Sequence, residues 1–258
     1  MLTLFPPSIK TDFTFEVTML LYYVRHADPI YNPDSLTPLG KRQAESVAKR
    51  LAMHGIDRVF SSSSIRAQET AKPLCEVLKI QVEEIYDWCH ESKAIDQLGV
   101  FIPERNRKIF GYHHRPTVEL MISKEMQDLG DKWYDHPYFG ELLFKEGTLR
   151  IQSEADKFME MLGYRHDREN FCYHPIAPND QRVALFAHQG FGLAFMSAIL
   201  DIPYSLFCTH FFMAHTGVTV VEFAEADGKV IPKVLTYSND SHLFDDKLPT
   251  KYHNRIYI

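Results

Sequence analysis

The chain has 258 residues, is 45% hydrophobic with 18 Phe and 13 Tyr, and carries a formal net charge of −6. That length and apolar content suffice for one substantial α/β domain, or one domain with a large insert, and exclude a disordered chain. The acidic balance argues against a bulk nucleic-acid binder, which shows a basic stripe.

Residues 1–18 read as a disordered extension or an upstream start, and residues 19–258 as one domain. Leu20-Leu21-Tyr22-Tyr23-Val24 is wholly apolar and aromatic, which predicts a central strand buried on both faces. Thr37 fits a helix N-cap and Pro38 the first helical position. Ala44, Val47, Ala48 and Leu51 then repeat at helical spacing, and Gly55 ends the segment. Arg58-Val59-Phe60 predicts a second strand. A second helix follows from about Ser63, with Ala67, Ala71, Leu74 and Leu78 on one side and a kink expected at Pro73. Residues 89–150 mix aromatics and charges with weak periodicity, which suits an insert covering one end of the sheet. A helix returns over Gln152–Leu162, and residues 163–181 read as a polar connection. Val183–Ala187 is another buried strand, followed by a nearly all-apolar helix to Leu200. Val218–Phe223 and Val234–Tyr237 supply late strands. Strands alternating with helices predict a three-layer α/β/α sandwich with a mostly parallel central sheet. Ligands in such folds sit at the carboxyl ends of strands.

Cys75, Cys89, Cys172 and Cys208 form no C-x-x-C pair, so neither a zinc knuckle nor a disulfide framework is expected. They read as reduced thiols of a cytoplasmic protein. Lys10, Asp12 and Glu16 interrupt any signal-peptide core, and the apolar stretch near Phe191–Leu200 is too short to span a bilayer. No membrane or nucleic-acid partner is expected, and the oligomeric state is open.

Arg25-His26 lies just beyond the first strand, Ser62 and Arg66 just past the second, and His188 at the end of Val183–Ala187. Two guanidiniums and two imidazoles converging there make a cationic cradle matched to the peripheral oxygens of a phosphoryl group. An imidazole attacks phosphorus once its proton sits on the other ring nitrogen. Two adjacent fixed cations disfavour a zinc ion on the same histidines, so no metal and no cofactor is expected.

Arg25-His26-Ala27-Asp28, Leu36-Thr37-Pro38-Leu39-Gly40 with Gln43-Ala44, Arg66-Ala67 with Thr70-Ala71, and His188-Gln189-Gly190 together resemble the histidine phosphatase superfamily, also called phosphoglycerate mutase-like. The resemblance runs from Leu20 to about Leu200 and is weakest in the insert. It implies a phosphatase acting on a small-molecule phosphomonoester, with His26 as nucleophile and Arg25, Arg66 and His188 as the phosphate pocket. Ser62 matches the serine ahead of the second arginine. Ala27 stands where the family has glycine and Ser63 where it has proline. Asp28-Pro29-x-Tyr31 resembles a bacterial subgroup. The family places a general acid after the helix that follows the second arginine, and Glu83, Glu84 and Asp87 are the candidates. Ile85-Tyr86-Asp87-Trp88 resembles the corresponding segment of some phosphatase branches and favours Asp87, with Glu84 at the substrate. A mutase-like register favours Glu84 as the acid instead.

Two rival readings stand beside this one. A phosphoglycerate mutase uses the same pocket, but its acid-Arg-aromatic-Tyr-Gly stretch does not match Asp87-Trp88-Cys89-His90-Glu91. A non-catalytic phospho-ligand module would not need both histidines and both arginines. The run Arg105, Arg107, Lys108, His113, His114, Arg115 suits a solvated surface or a grip on a second anionic group. Trp88, Trp133 and Tyr134 suit core or pocket lining. Asp28 suits loop capping or substrate contact, and Asp34, Glu154 and His242 have no assigned role.

Overall fold

The computed structural model describes residues 17–250. Strand β1 (Thr18–Arg25) sends Leu21 and Tyr23 to one face and Tyr22 and Val24 to the other, all buried. It takes in Thr18, which the sequence pattern assigns to the N-terminal extension; residues 1–16 lie outside the described residues. A hairpin of β2 (Pro29–Tyr31) and β3 (Asp34–Leu36) leads into α1 (Pro38–His54). Thr37 caps this helix by accepting from Gly40 N at 2.9 Å, and Gly55 closes it at φ 73°, a left-handed conformation that favours glycine. β4 (Arg58–Ser62) and α2 (Ile65–Leu78) follow. Pro73 lies within α2 without dividing it. An additional strand, β5 (Val82–Tyr86), carries Glu83 and Glu84.

The insert holds α3 (Glu91–Leu98), a hairpin of β6 (Gly99–Ile102) and β7 (Arg107–Phe110), α4 (Arg115–Met121), α5 (Lys124–Asp128) and several 3-10 turns. Helix α6 (Phe144–Met161) starts well before the expected Gln152. Its early glycine lies where a Cβ would come within 2.6 Å of Gln97, so α6 and α3 approach closely at Gly147. The stretch expected as a polar connection contains a hairpin, β8 (Tyr164–Asp167) and β9 (Cys172–Pro175). Its polarity is internally satisfied: His166 places one ring nitrogen 2.8 Å from Asp156 and the other 2.8 Å from Asp201, and Arg168 bonds both carboxylates. The chain ends its described part with β10 (Arg182–Ala187), α7 (Gln189–Leu200), α8 (Tyr204–His210), β11 (Val218–Ala226), β12 (Lys229–Val230), β13 (Lys233–Asn239) and α9 (Ser241–Asp245).

The sheet runs β5-β4-β10-β1-β11-β12-β9-β8, with β13 also on β11. β5, β4, β10 and β1 are parallel, and β11 pairs antiparallel to β1. One face packs Tyr22, Val24, Val59 and Phe186 under Val47, Leu51 and Leu74 of α1 and α2. The other packs Tyr23, Phe60 and Leu185 under Phe158, Phe191 and Phe195 of α6 and α7. Each such buried side chain contributes about 1.5–3 kcal/mol over its exposed state. This is the α/β/α sandwich expected from the sequence. Trp133 is core, edge-on to Phe139 and Phe144, and Trp88 packs at 5.2 Å on Phe191. All four cysteines are buried and unpaired. No helix among the described residues is long and apolar enough to cross a membrane.

Candidate active site

The parallel register sets the site. β1 and β10 run side by side with Arg25 opposite Ala187, so His26 and His188 leave adjacent strand ends together. His26 N continues the ladder to Ala187 O at 2.8 Å. The Tyr23 hydroxyl donates to His188 O at 2.6 Å and accepts from His188 N at 3.2 Å, which fixes the start of α7. The two imidazole centroids stand 5.2 Å apart.

His26 Nδ1 lies 2.7 Å from Ala27 O. A carbonyl only accepts, so Nδ1 carries the proton and Nε2 presents its lone pair. Burial, then the Arg25 charge, pushes the His26 pKa well below its ordinary value, so the ring is neutral at neutral pH. His188 is fully buried and likewise depressed, by burial and then by His26 and Arg66. Its Nδ1 is 3.2 Å from Arg66 Nη2, a donor, which assigns the ring proton to Nε2, 2.9 Å from Ser62 Oγ.

Both guanidiniums are buried and anchored. Arg25 Nη1 donates to Gln189 Oε1 at 2.6 Å and Met213 O at 2.5 Å, and Nη2 lies 2.9 Å from His215 Nε2. Burial lowers its pKa to about 10, which leaves it charged at neutral pH. Arg66 Nη1 donates to Asp34 Oδ1 at 2.8 Å, and the Tyr31 ring lies 5.4 Å from the guanidinium. These partners leave Arg25 Nε and Arg66 Nε buried with no hydrogen bond. Glu91, at the first turn of α3, accepts from Gly190 N at 3.1 Å through Oε1. Its Oε2 is buried with no hydrogen-bond partner, 3.3 Å from His188 Nδ1.

Arg25, His26, Arg66, Glu91 and Gln189 line one cavity of about 410 Å³. Its outer wall comes from Tyr31, from Ile95 of α3, and from β7 and the turn after it: Arg107, Lys108, Ile109, Phe110, Tyr112 and His113. Gly190 allows the wall to close, since a Cβ there would sit 2.1 Å from the Phe110 ring.

The structure thus brings Arg25, His26, Ser62, Arg66 and His188 together. It places Asp87 and Glu84 apart from them. The Asp87 carboxylate is exposed, accepts from Ser63 Oγ at 3.0 Å and pairs with Lys93. Glu84 stands exposed on β5, and neither lines the cavity. Asp34, Glu91, Gln189 and His215 occupy site positions that the sequence reading did not assign. Gln189 lies within the His188-Gln189-Gly190 motif, which is a usable signal; the other three reach the site through tertiary folding alone. Among the described residues, one group has metal-ligand spacing, Asp167, Cys172 and His174, and it lies on the β8–β9 hairpin, outside the cavity.

No curated protein matches the chain by sequence. Among solved structures, it is similar to a phosphoserine phosphatase mutant from Entamoeba histolytica, at 16% identity over 87% of this chain and 99% of that one, with a TM-score of 0.55. A mycobacterial glucosyl-3-phosphoglycerate phosphatase is similar at 17% identity over 86% and 99%, TM-score 0.55. The α-ribazole phosphatase from Shigella flexneri is similar at 18% identity over 86% and 97%, TM-score 0.53. At these identities the likeness is one of fold. Residues 21–89 match the histidine phosphatase superfamily, branch 1. That segment, which carries Arg25, His26, Ser62 and Arg66, is similar to that superfamily.

Proposed function

We propose that the protein hydrolyses a small phosphomonoester through a phosphohistidine on His26, with Glu91 rather than Asp87 as the general acid. One observation carries this reading. Two buried donors without acceptors, Arg25 Nε and Arg66 Nε, share a cavity with a buried carboxylate oxygen without a donor, Glu91 Oε2. Buried polar atoms are normally paired; a phosphoryl group offers acceptors to the two Nε donors, and Glu91 Oε2, once protonated, donates to the ester oxygen.

In the first step His26 Nε2 donates its lone pair to phosphorus, and the P–O bond to the alcohol breaks. Protonated Glu91 gives its proton to the departing oxygen. Arg25, Arg66 and His188 hold the charge on the phosphoryl oxygens. Water then attacks phosphorus and gives a proton to Glu91, and the N–P electron pair returns to Nε2. Fixed positive charge at the phosphate supplies the electrostatic stabilisation, so the scheme needs no metal.

The outer wall bears on substrate class. Arg107 is exposed and Lys108 donates to the backbone oxygen of Asp96 at 2.6 Å. Among the described residues neither has a carboxylate partner, which favours an alcohol moiety that carries a second anionic group. The same proposal takes residues 19–258 as one domain whose insert, residues 89–150, covers the substrate.

The test is turnover of p-nitrophenyl phosphate by wild type and His26→Ala, with and without EDTA. Wild type should form a trappable acid-labile, base-stable phosphoenzyme that the variant lacks, and EDTA should leave the rate unchanged. More than a few per cent residual activity in His26→Ala would sink the nucleophile assignment.

A further inference from the structure

His215 lies just ahead of β11 and is buried. Its Nε2 is 2.9 Å from Arg25 Nη2, its Nδ1 is 3.5 Å from Asp28 Oδ1, and its ring centroid is 5.6 Å from that of His26. A guanidinium has donors only. His215 Nε2 therefore offers a lone pair, and the ring proton sits on Nδ1, on the side of Asp28. The other two side-chain hydrogen bonds of Arg25, to Gln189 Oε1 and Met213 O, both act on Nη1, and the Phe212 ring lies 6.0 Å from the guanidinium. Those two bonds grip one corner of the planar guanidinium. The contact at Nη2 holds the other corner, and the three together set the direction of the orphaned Nε.

We propose that His215 is a positioning residue for Arg25: as a neutral imidazole it accepts from Nη2 and holds the guanidinium plane toward the phosphoryl group. The proposal rests on the reading of this cavity as a phosphate site. Protonation of Nε2 removes the acceptor and sets a second cation against Arg25, so the same contact makes phosphate capture sensitive to acid. Among the described residues, charged and titratable groups facing the ring come from the segment that leaves β1. Arg25 ends β1, His26 follows it, and Asp28 precedes β2. The Arg25 charge opposes protonation of His215 and the Asp28 carboxylate favours it.

The experiment compares His215→Gln, whose amide oxygen can accept from Nη2 but does not titrate, with His215→Phe, which keeps a ring and has no acceptor. Inorganic phosphate binding and kcat/KM for p-nitrophenyl phosphate are measured from pH 5 to 8, values chosen to span the ordinary range about the histidine pKa of 6.5. A hydrogen bond to a charged group is worth about 1.5–3 kcal/mol, or roughly a 10–100-fold effect. His215→Phe should weaken phosphate binding and lower kcat/KM by that factor at neutral pH. His215→Gln should restore both to within about threefold of wild type, and its acid limb should be shallower than the wild-type limb. The substrate's own ionisation is common to both profiles and cancels in their comparison. Equal losses in the two variants, or superimposable acid limbs for wild type and His215→Gln, would overturn the proposal. Imidazole nitrogen shifts of the full chain add a measurement that needs no variant. A proton on Nε2 at neutral pH also overturns it. Should wild type bind phosphate without turning over any ester, the phosphatase reading fails, while the phosphate affinities of the variants still decide the role of His215.

Discussion

Replacing Glu91 with Gln separates acid catalysis from architecture. The amide is nearly isosteric, and its oxygen can keep the 3.1 Å bond from Gly190 N. Even complete loss of that bond is worth about 0.5–1.5 kcal/mol, a factor of roughly 2–12 in rate that would fall on every substrate alike. Loss of a general acid costs about 10²–10⁴-fold, and only where the leaving oxygen needs a proton. Glycerol phosphate departs as a strongly basic alkoxide, whereas p-nitrophenolate leaves without help. Phosphate release from glycerol phosphate by Glu91→Gln should therefore fall by about 10²–10⁴-fold, and the phosphorylation step with p-nitrophenyl phosphate by less than about tenfold. Asp87→Asn should change either rate by less than about threefold, because its carboxylate is exposed and spent on Ser63 and Lys93. Glu84→Gln, on the exposed side of β5, should do as little. A leaving-group-dependent defect in Asp87→Asn with a silent Glu91→Gln would refute the reasoning and return the acid role to Asp87.

Two further outcomes are expected. Arg107→Ala should pull the ratio of kcat/KM for 3-phosphoglycerate over glycerol phosphate down by about tenfold, the order of one charge-assisted contact; an unchanged ratio removes Arg107 from substrate selection. At the β8–β9 hairpin, burial disfavours charge on His166, but its bonds to Asp156 and Asp201 outweigh this and raise its pKa. The stability it contributes is therefore fully present below the ordinary histidine value and lost as pH rises through the raised one. Thermal melts should show Tm falling above the usual histidine range in wild type and a flatter profile in His166→Gln. Parallel profiles would refute that account.

The sequence by itself determined the secondary structure wherever a local rule governs it. Thr37, Pro38 and Gly55 mark the ends of α1 because capping needs a side-chain oxygen at one end and a left-handed backbone at the other. β1 and β10 are legible because a strand buried on both faces has no polar residue to spare. Those strands also announced Arg25, His26 and His188, since in a parallel sheet the residues just past the strand ends meet at one edge. The β8–β9 hairpin escaped because its inward polar residues are neutralised by Asp156 and Asp201, which come from other elements. The start of α6 escaped because Gly147 interrupts the helical pattern, and its reason is contact with α3. The candidate acid shows the limit most sharply. Four positions separate Asp87 from Glu91, and both lie beyond α2, after which the resemblance places a carboxylate. Which one lines the cavity depends on how α3 is aimed: Lys93 and Ser63 hold Asp87 at the surface, while Gly190 N draws Glu91 inward. Those partners lie on three separate segments, so only the tertiary structure decides the choice.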